Sequence, residues 1–343
     1  MIGDLADVAA GIGGVRLGLT PTQLIGIPLA LLGAVFMSLG AKYQHQGVSK
    51  VEHAAAERAA AEGRSGDASA LGAAQLGALL KRPSWLVGTA MLGLAIALQL
   101  ASLAFAPLIV VQPLGVVSLV ITTLLTARDS GQRLSRSKIL AVALCVTGVS
   151  IFVTIAAMST RDVHISNARI IWVLAILGVV VVLFGLAFAT LRRRFKALFY
   201  IVGAGVIYGF VATLAKITIN RIQHGDVEVL TIIGIAMLLL GTAVGAYFVQ
   251  TAYASGPPDM VVAGLTVIDP LVAVLIGIAV LGETDGAPWT SYLGFTIAGI
   301  VAISGVLLLE RGQTEEEIRA SREAAIHGRG ARADRAGREA SRG

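Results

Sequence analysis

Nine runs of about 20 apolar residues, each long enough to cross the hydrocarbon core of a bilayer as a helix, make up most of this chain. They lie near residues 23–43, 84–105, 108–126, 138–158, 169–191, 197–219, 229–253, 260–281 and 289–309. Inside lipid a backbone amide has no water to bond, so runs of this length fold as helices that satisfy their own N–H and C=O groups. The predicted fold class is an all-α polytopic membrane protein of nine transmembrane helices. Hydrophobic residues are 56% and charged residues 14% of the 343 positions, which excludes an ordinary water-soluble domain.

The few charges orient the bundle. Six Lys and Arg lie between Lys42 and Arg82, four between Arg128 and Lys138, four between Arg192 and Lys196, and eight in the C-terminal tail. The alternate loops hold Arg16, Arg161, Arg169 and Arg221, with Lys216 near a span end. Basic loops stay in the cytoplasm, so the N-terminus is expected outside and the C-terminus inside a cell (plasma or inner) membrane. Three regions follow: an extracytoplasmic segment 1–22, a transporter domain 23–309 with a cytoplasmic loop 44–82, and a charged cytoplasmic tail 310–343. A short amphipathic helix is expected from Val51 to Ala61. The start of the chain lacks a basic region followed by an apolar core, so no cleavable signal peptide is expected. The net charge of +6 is spent in these loops and in the tail, and nucleic acid is not an expected partner. The single cysteine, Cys145, lies in an apolar run and allows neither an internal disulfide nor a thiolate cluster.

Two stretches nearly repeat each other: Val110-Val111-Gln112-Pro113-Leu114-Gly115-Val116-Val117 and Val267-Ile268-Asp269-Pro270-Leu271-Val272-Ala273-Val274. Upstream, Gln99 and Ala101 precede a Pro107 hairpin as Gln250 and Ala252 precede a Pro257 hairpin. Spans 2–4 thus correspond to spans 7–9, and five crossings between the copies invert one against the other, as in transporters built from inverted repeats. Pro113 and Pro270 are predicted helix kinks that release the carbonyls of Ile109 and Thr266, and such kinks line protein-buried or watery cavities. Gln112 and Asp269 add side-chain oxygens beside them. Asp269 is the one acid well inside an apolar span, where a carboxylate costs ~2.5–3.5 kcal/mol on insertion scales. Three roles stay open for it: a proton or substrate site, an ion pair with Lys216, or a polar cap in the bundle. Lys216 is also explained by snorkelling towards the nearer surface. Further candidate pathway groups are Gln99, Ser102, Ser118, Thr122, Tyr208, Tyr247, Gln250, Tyr253 and Thr266. Any one of them alone reads equally as a hydrogen bond between helices. The glycines at 203, 205, 241, 245, 277, 294 and 299 report close helix packing.

Ala104-Phe105-Ala106-Pro107, Val110, Pro113-Leu114-Gly115 and Gly131-Gln132-Arg133-Leu134 resemble the NIPA-type branch of the drug/metabolite transporter superfamily. Gly256-Pro257, Asp269-Pro270-Leu271 and Leu281-Gly282-Glu283 resemble the EamA-type repeat of that superfamily, whose penultimate helix ends in a Gly-Glu pair. The resemblance covers about residues 23–309 and implies a nine-helix plan with magnesium or divalent-cation transport. One departure stands out: the NIPA-like pattern has Asn-Glu-Arg-Leu where this chain has Gly131-Gln132-Arg133-Leu134.

The primary expectation is a transporter of a small metabolite or lipid-linked solute, proton-coupled through Asp269 and working by alternating access. The alternative is a NIPA-like carrier of magnesium or another divalent cation, with Asp269 as its metal ligand; a second alternative is a non-transporting scaffold for an envelope enzyme. No cofactor is expected, Mg²⁺ or H⁺ entering only as transported or coupling ions. No HExxH, G-x-S-x-G or P-loop occurs, and the five histidines are scattered, so an enzyme is not expected. The partners expected are the lipid bilayer, the solute or ion, a second copy of the chain, and a protein bound through the C-terminal tail. The topology predicts that, in a Cys145→Ala background, a thiol placed at Arg161 reacts with an impermeant maleimide in intact cells. One placed at Arg193 reacts only after permeabilisation.

Overall fold

The computed structural model describes residues 20–61, 81–129, 135–160, 165–191, 196–253, 255 and 258–309, and every regular element among them is a helix. In chain order these are α1 (Pro21–Ala61), α2 (Pro83–Phe105), α3 (Leu108–Leu114), α4 (Val116–Asp129) and α5 (Arg136–Ser159). Then come α6 (Asn167–Leu191), α7 (Lys196–His224), α8 (Val229–Tyr253), α9 (Pro258–Ala279) and α10 (Trp289–Leu309). They make nine crossings of membrane-spanning length among the described residues, because α3 and α4 form one crossing interrupted at Gly115. Pro113 has no N–H for the carbonyl of Ile109, and the Gly115 N–H turns instead to the carbonyl of Gln112 at 3.1 Å, tightening the helix there. The matching Pro270 leaves α9 continuous.

One boundary differs from the sequence reading. The first span was expected to end at residue 43 and give way to a loop, whereas α1 runs unbroken to Ala61. Residues 44–61 hold no proline, one glycine, and a run of alanines with Glu and Arg, all good helix formers, so the helix continues past its apolar part. The predicted N-terminal segment up to residue 19, the rest of the cytoplasmic loop from 62 to 80 and the tail 310–343 lie outside the described residues.

Packing is governed by small residues. On α1 a glycine recurs every seventh position, and all four face α2: Gly26 meets Ala106, Gly33 the backbone at Ala95, Gly40 the carbonyl of Gly88 and Gly47 Trp85. A two-turn repeat keeps one stripe of a helix pointed at its neighbour, and with no Cβ in that stripe the antiparallel backbones come into direct contact. Gly148 against Ala302 and Gly305 against Cys145 do the same for α5 and α10. Gly205 against Ile268 and Gly209 against Val272 run α7 parallel to α9, while Gly241 against Val211 and Gly245 against Tyr208 set α8 antiparallel to α7. Outward faces are apolar and open, as on α6 at Val179, Val182 and Leu183, which is the surface a helix shows to lipid.

The innermost element is the short α3, whose Leu108, Ile109, Val110 and Val111 are all 0% exposed. Its neighbours are α1, α2, α5, α7 and α9, from both repeats. Gly88→Val places side-chain atoms against backbone of α1, where an added Cβ already falls 2.6 Å from Gln44 N and 2.8 Å from Gly40 O. It is expected to cost ~1–3 kcal/mol, read as a lowered Tm in detergent. Gly178→Ala, which meets open space, should be neutral or raise stability by up to ~1 kcal/mol.

Candidate transport site

The chain leaves α2 at Phe105, extends through Ala106 and Pro107, and enters α3 without reaching the surface: Ala106, Leu108 and Ile109 are 0% exposed. Two helix ends, the last carbonyls of α2 and the first amides of α3, are therefore buried together and need partners. Lys216 on α7, 3% exposed, donates from Nζ to the carbonyls of Leu103 and Ala106, both at 2.9 Å. Glu283, also 3% exposed, accepts from the Leu108 N–H at Oε1 (2.7 Å) and from the Ile109 N–H at Oε2 (2.9 Å). Each charge has the sign that the helix end calls for, a cation at the carbonyl end and an anion at the amide end. Hydrogen bonds to charged groups contribute about 1.5–3 kcal/mol each, so the cross-linked break is a strong point of the bundle.

The turn after α9 presents Glu283. Gly282 there has φ +66°, and a Cβ on it would collide with the carboxylate of Asp285, so glycine is required. The Glu283 N–H bonds the carbonyl of Gly277 at 3.1 Å. Gly277 also leaves space for the acid: a Cβ there would stand 3.1 Å from Oε2.

A second polar cluster ties the starts of α6 and α8 to the end of α7. Arg221, 1% exposed, donates from Nε to Thr231 Oγ1 (2.8 Å) and from Nη1 to Asn167 Oδ1 (2.7 Å), with Glu228 Oε2 3.6 Å from Nη2. Asn220 Oδ1 accepts from the Ile165 N–H at 3.1 Å, and Arg169 meets Asp285 at 3.4 Å. Arg221 and Arg169, which the sequence presents as stray charges of one face, are thus structural ties.

Asp269 lies at the middle of α9, and its Oδ1 is buried without a hydrogen-bond partner. On its α7 side the backbone of Asp269 lies by Gly205, whose added Cβ would be 3.4 Å from the Asp269 nitrogen, and Tyr208 of α7 is within electrostatic reach of the carboxylate. No ion pair joins Asp269 to Lys216 among the described residues. Lys216 does not snorkel either: it is buried on the carbonyls of Leu103 and Ala106. The expected common cavity of prolines and acid divides in two. Pro113, Pro270 and Thr266 line an apolar crevice with Val149, Phe152 and Ala302, and the Thr266 hydroxyl is turned back to the carbonyl of Val262 at 2.8 Å. Successive residues of a helix point about 100° apart, so Pro270 can face this crevice while Asp269 faces α7.

The other candidates scatter. Gln112 is 8% exposed within α3, and Gln99 lies on the side of α2 that meets α1 near Gly33. Gln250 is exposed, Tyr253 is 41% exposed and Tyr247 63% exposed, all on the open side of α8 and away from Asp269. No group of three His, Cys, Asp or Glu side chains that could hold a metal ion occurs among the described residues, so Asp269 would meet a cation as a single carboxylate with backbone carbonyls and retained water. Glu283 is the residue that the sequence reading passed over. Its signal was the Gly-Glu pair of Leu281-Gly282-Glu283, which carries the resemblance to the EamA-type repeat but was given no place among the candidate pathway groups.

A family model described as magnesium transporter NIPA matches residues 22–313. An uncharacterized protein of Corynebacterium glutamicum is 29% identical over 242 residues, covering 68% of this chain and 82% of its own. No solved structure matches.

Arg221→Ala removes the Thr231 and Asn167 bonds from a buried position and is expected to cost ~2–3 kcal/mol, seen as a lower Tm in detergent. Arg221→Lys keeps the charge but not the fork of donors, and should recover only part of that loss.

Proposed function

Because the chain belongs to the magnesium transporter NIPA family, we propose that it carries magnesium, or a closely related divalent cation, across the cell membrane by alternating access. The observation that carries this reading is the Asp269 carboxylate, held mid-span against α7 with one oxygen buried and unbonded. A buried polar atom without a partner is costly and is retained where something else supplies the partner for part of the time. A cation passing between α7 and α9 does so. Mg²⁺ gives up its water reluctantly and needs only one or two carboxylates, with the remaining positions filled by water and carbonyls, so a single acid suits passage better than storage. The glycines at 205 and 209 let α7 pack directly on Ile268 and Val272 of α9, on either side of Asp269 in sequence.

The family's description favours the cation over the metabolite expected first, and transport over the scaffold. The metabolite reading retains one supporting feature, the apolar crevice beside Pro113 and Pro270, whose lining suits the greasy part of an amphipathic solute. The loop charges support an outside N-terminus and a cytoplasmic C-terminus, which puts the Ala106 and Glu283 end of the bundle on the outer side.

Asp269→Asn keeps the shape of the side chain and removes its charge. In proteoliposomes it should lower Mg²⁺ flux on the order of tenfold or more, the factor that ~1.4 kcal/mol of lost stabilisation gives, with an unchanged elution profile. Wild-type protein should restore growth of a magnesium-uptake-deficient host at limiting magnesium, and Asp269→Asn should not. Full flux through the Asn variant would exclude Asp269 from the path. Failure of the wild type to rescue growth, with H⁺-driven solute flux that depends on Asp269, would move the assignment to the metabolite.

A further inference from the structure

We propose that Glu283 and Lys216 are positioning residues for transport: together they latch shut the end of the bundle that carries the Ala106-Pro107 break. That end opens only when Glu283 leaves the amides of Leu108 and Ile109. The inference rests on the reading of the chain as a transporter, and it concerns a place distinct from Asp269.

The latch has the placement that a gate needs. Spans 2 and 3 belong to the first repeat; Lys216 on α7 and Glu283 beyond α9 belong to the other half of the chain. Their four hydrogen bonds, each 2.7 to 2.9 Å, therefore cross between the parts that alternating access must move apart at one end. Beneath them Ile109, Val110 and Val111 are 0% exposed, so with the bonds made this level of α3 is enclosed by its neighbours.

Both charges end on backbone groups of a break rather than inside a continuous helix. A fixed structural pair would lose nothing if the chain ran straight through. Here the break supplies amides and carbonyls that the side chains can release to water when the end opens, and water can satisfy all of them for as long as it stays open. Gly277 has no side chain, and a Cβ on it would stand 3.9 Å from the Cβ of Leu108. At this level the Glu283 carboxylate lies between Gly277 and the first amides of α3.

The 3.9 Å spacing gives the test, since disulfides take Cβ–Cβ distances of about 3.5–4.5 Å. In a Cys145→Ala background, Leu108→Cys with Gly277→Cys is reconstituted and assayed for Mg²⁺ flux oxidised and after reduction, alongside the Gly277→Cys single variant, because a Cβ there stands 3.1 Å from the Glu283 carboxylate. Flux in the oxidised form is expected to fall about tenfold or more and to return on reduction. Undiminished flux through fully cross-linked protein overturns the latch. If the reduced protein carries no Mg²⁺ while wild type does, or if neither carries it, the proposal is read instead from Val110→Cys in the same background. Its labelling by an impermeant maleimide should be about tenfold faster with Glu283→Gln than without, and equal rates overturn it. A latch also predicts that Glu283→Gln changes the turnover number while the half-saturating Mg²⁺ stays within about twofold, whereas loss of a cation ligand raises the latter. Absence of Mg²⁺ flux in wild type refutes the cation reading alone, because the labelling experiment needs no substrate.

Discussion

The bundle depends on burying a broken helix. Placing α3 at the centre, with four consecutive residues wholly enclosed, puts the N-terminal amides of one helix and the C-terminal carbonyls of another where neither water nor lipid can bond them. Lys216 and Glu283 solve this with two full charges, each set against the helix end of opposite partial charge. Neither charge could be buried alone at tolerable cost, and neither helix end could be buried bare, so the four groups are stable only as a set. That set draws α7 and the turn after α9 onto the junction of α2 and α3, and thereby fixes how the two halves of the chain meet.

Around this centre the architecture follows from how closely backbones approach. The heptad of glycines on α1 makes α1 and α2 one rigid hairpin. Gly148 and Gly305 bring α5 and α10, distant in the chain, into the same direct backbone contact. At α7 the close contacts run to α8 on one side and to α9 on the other, so that helix carries both the Lys216 donor and the wall facing Asp269. A displacement of α7 against α9 would reach both places at once, which couples the mid-span acid to the capped break through one helix. Small shifts can be transmitted in this way because closely packed interfaces have few intermediate arrangements.

Much of this was legible in the sequence because a bilayer leaves an apolar run of 20 residues few choices. The nine crossings, the kink at Pro113 and the isolation of Asp269 all follow from length, proline chemistry and the cost of a charge in hydrocarbon. What escaped was decided by packing direction. Nothing in Val267-Ile268-Asp269-Pro270 says that the acid and the proline look to different neighbours, although the 100° step of a helix requires it once α7 is known to lie against Asp269. Lys216 near a span end reads as a snorkelling side chain, because its carbonyl partners are over a hundred residues away. Glu283 reads as a surface residue because hairpins usually are on the surface, and this one folds back under α3. The seven-residue stride of glycines on α1 went unread beside the glycines at 203, 205, 241, 245, 277, 294 and 299, and a stride alone does not say which helix it meets.

The repeat adds a last constraint. The offset that brings Gln99 onto Gln250 also brings Gly131-Gln132 onto Gly282-Glu283, and the two proline motifs bring Gln112 onto Asp269. At both of these places the first copy carries an amide and the second a carboxylate. Gln132 lies outside the described residues, so the comparison there is one of sequence. An amide and a carboxylate of equal length bond backbone similarly, but only the carboxylate attracts a cation, opposes a buried positive charge or takes a proton. On the proposed function the two copies therefore do not contribute alike: the second repeat holds both acids, and the first supplies the helix break that Glu283 caps.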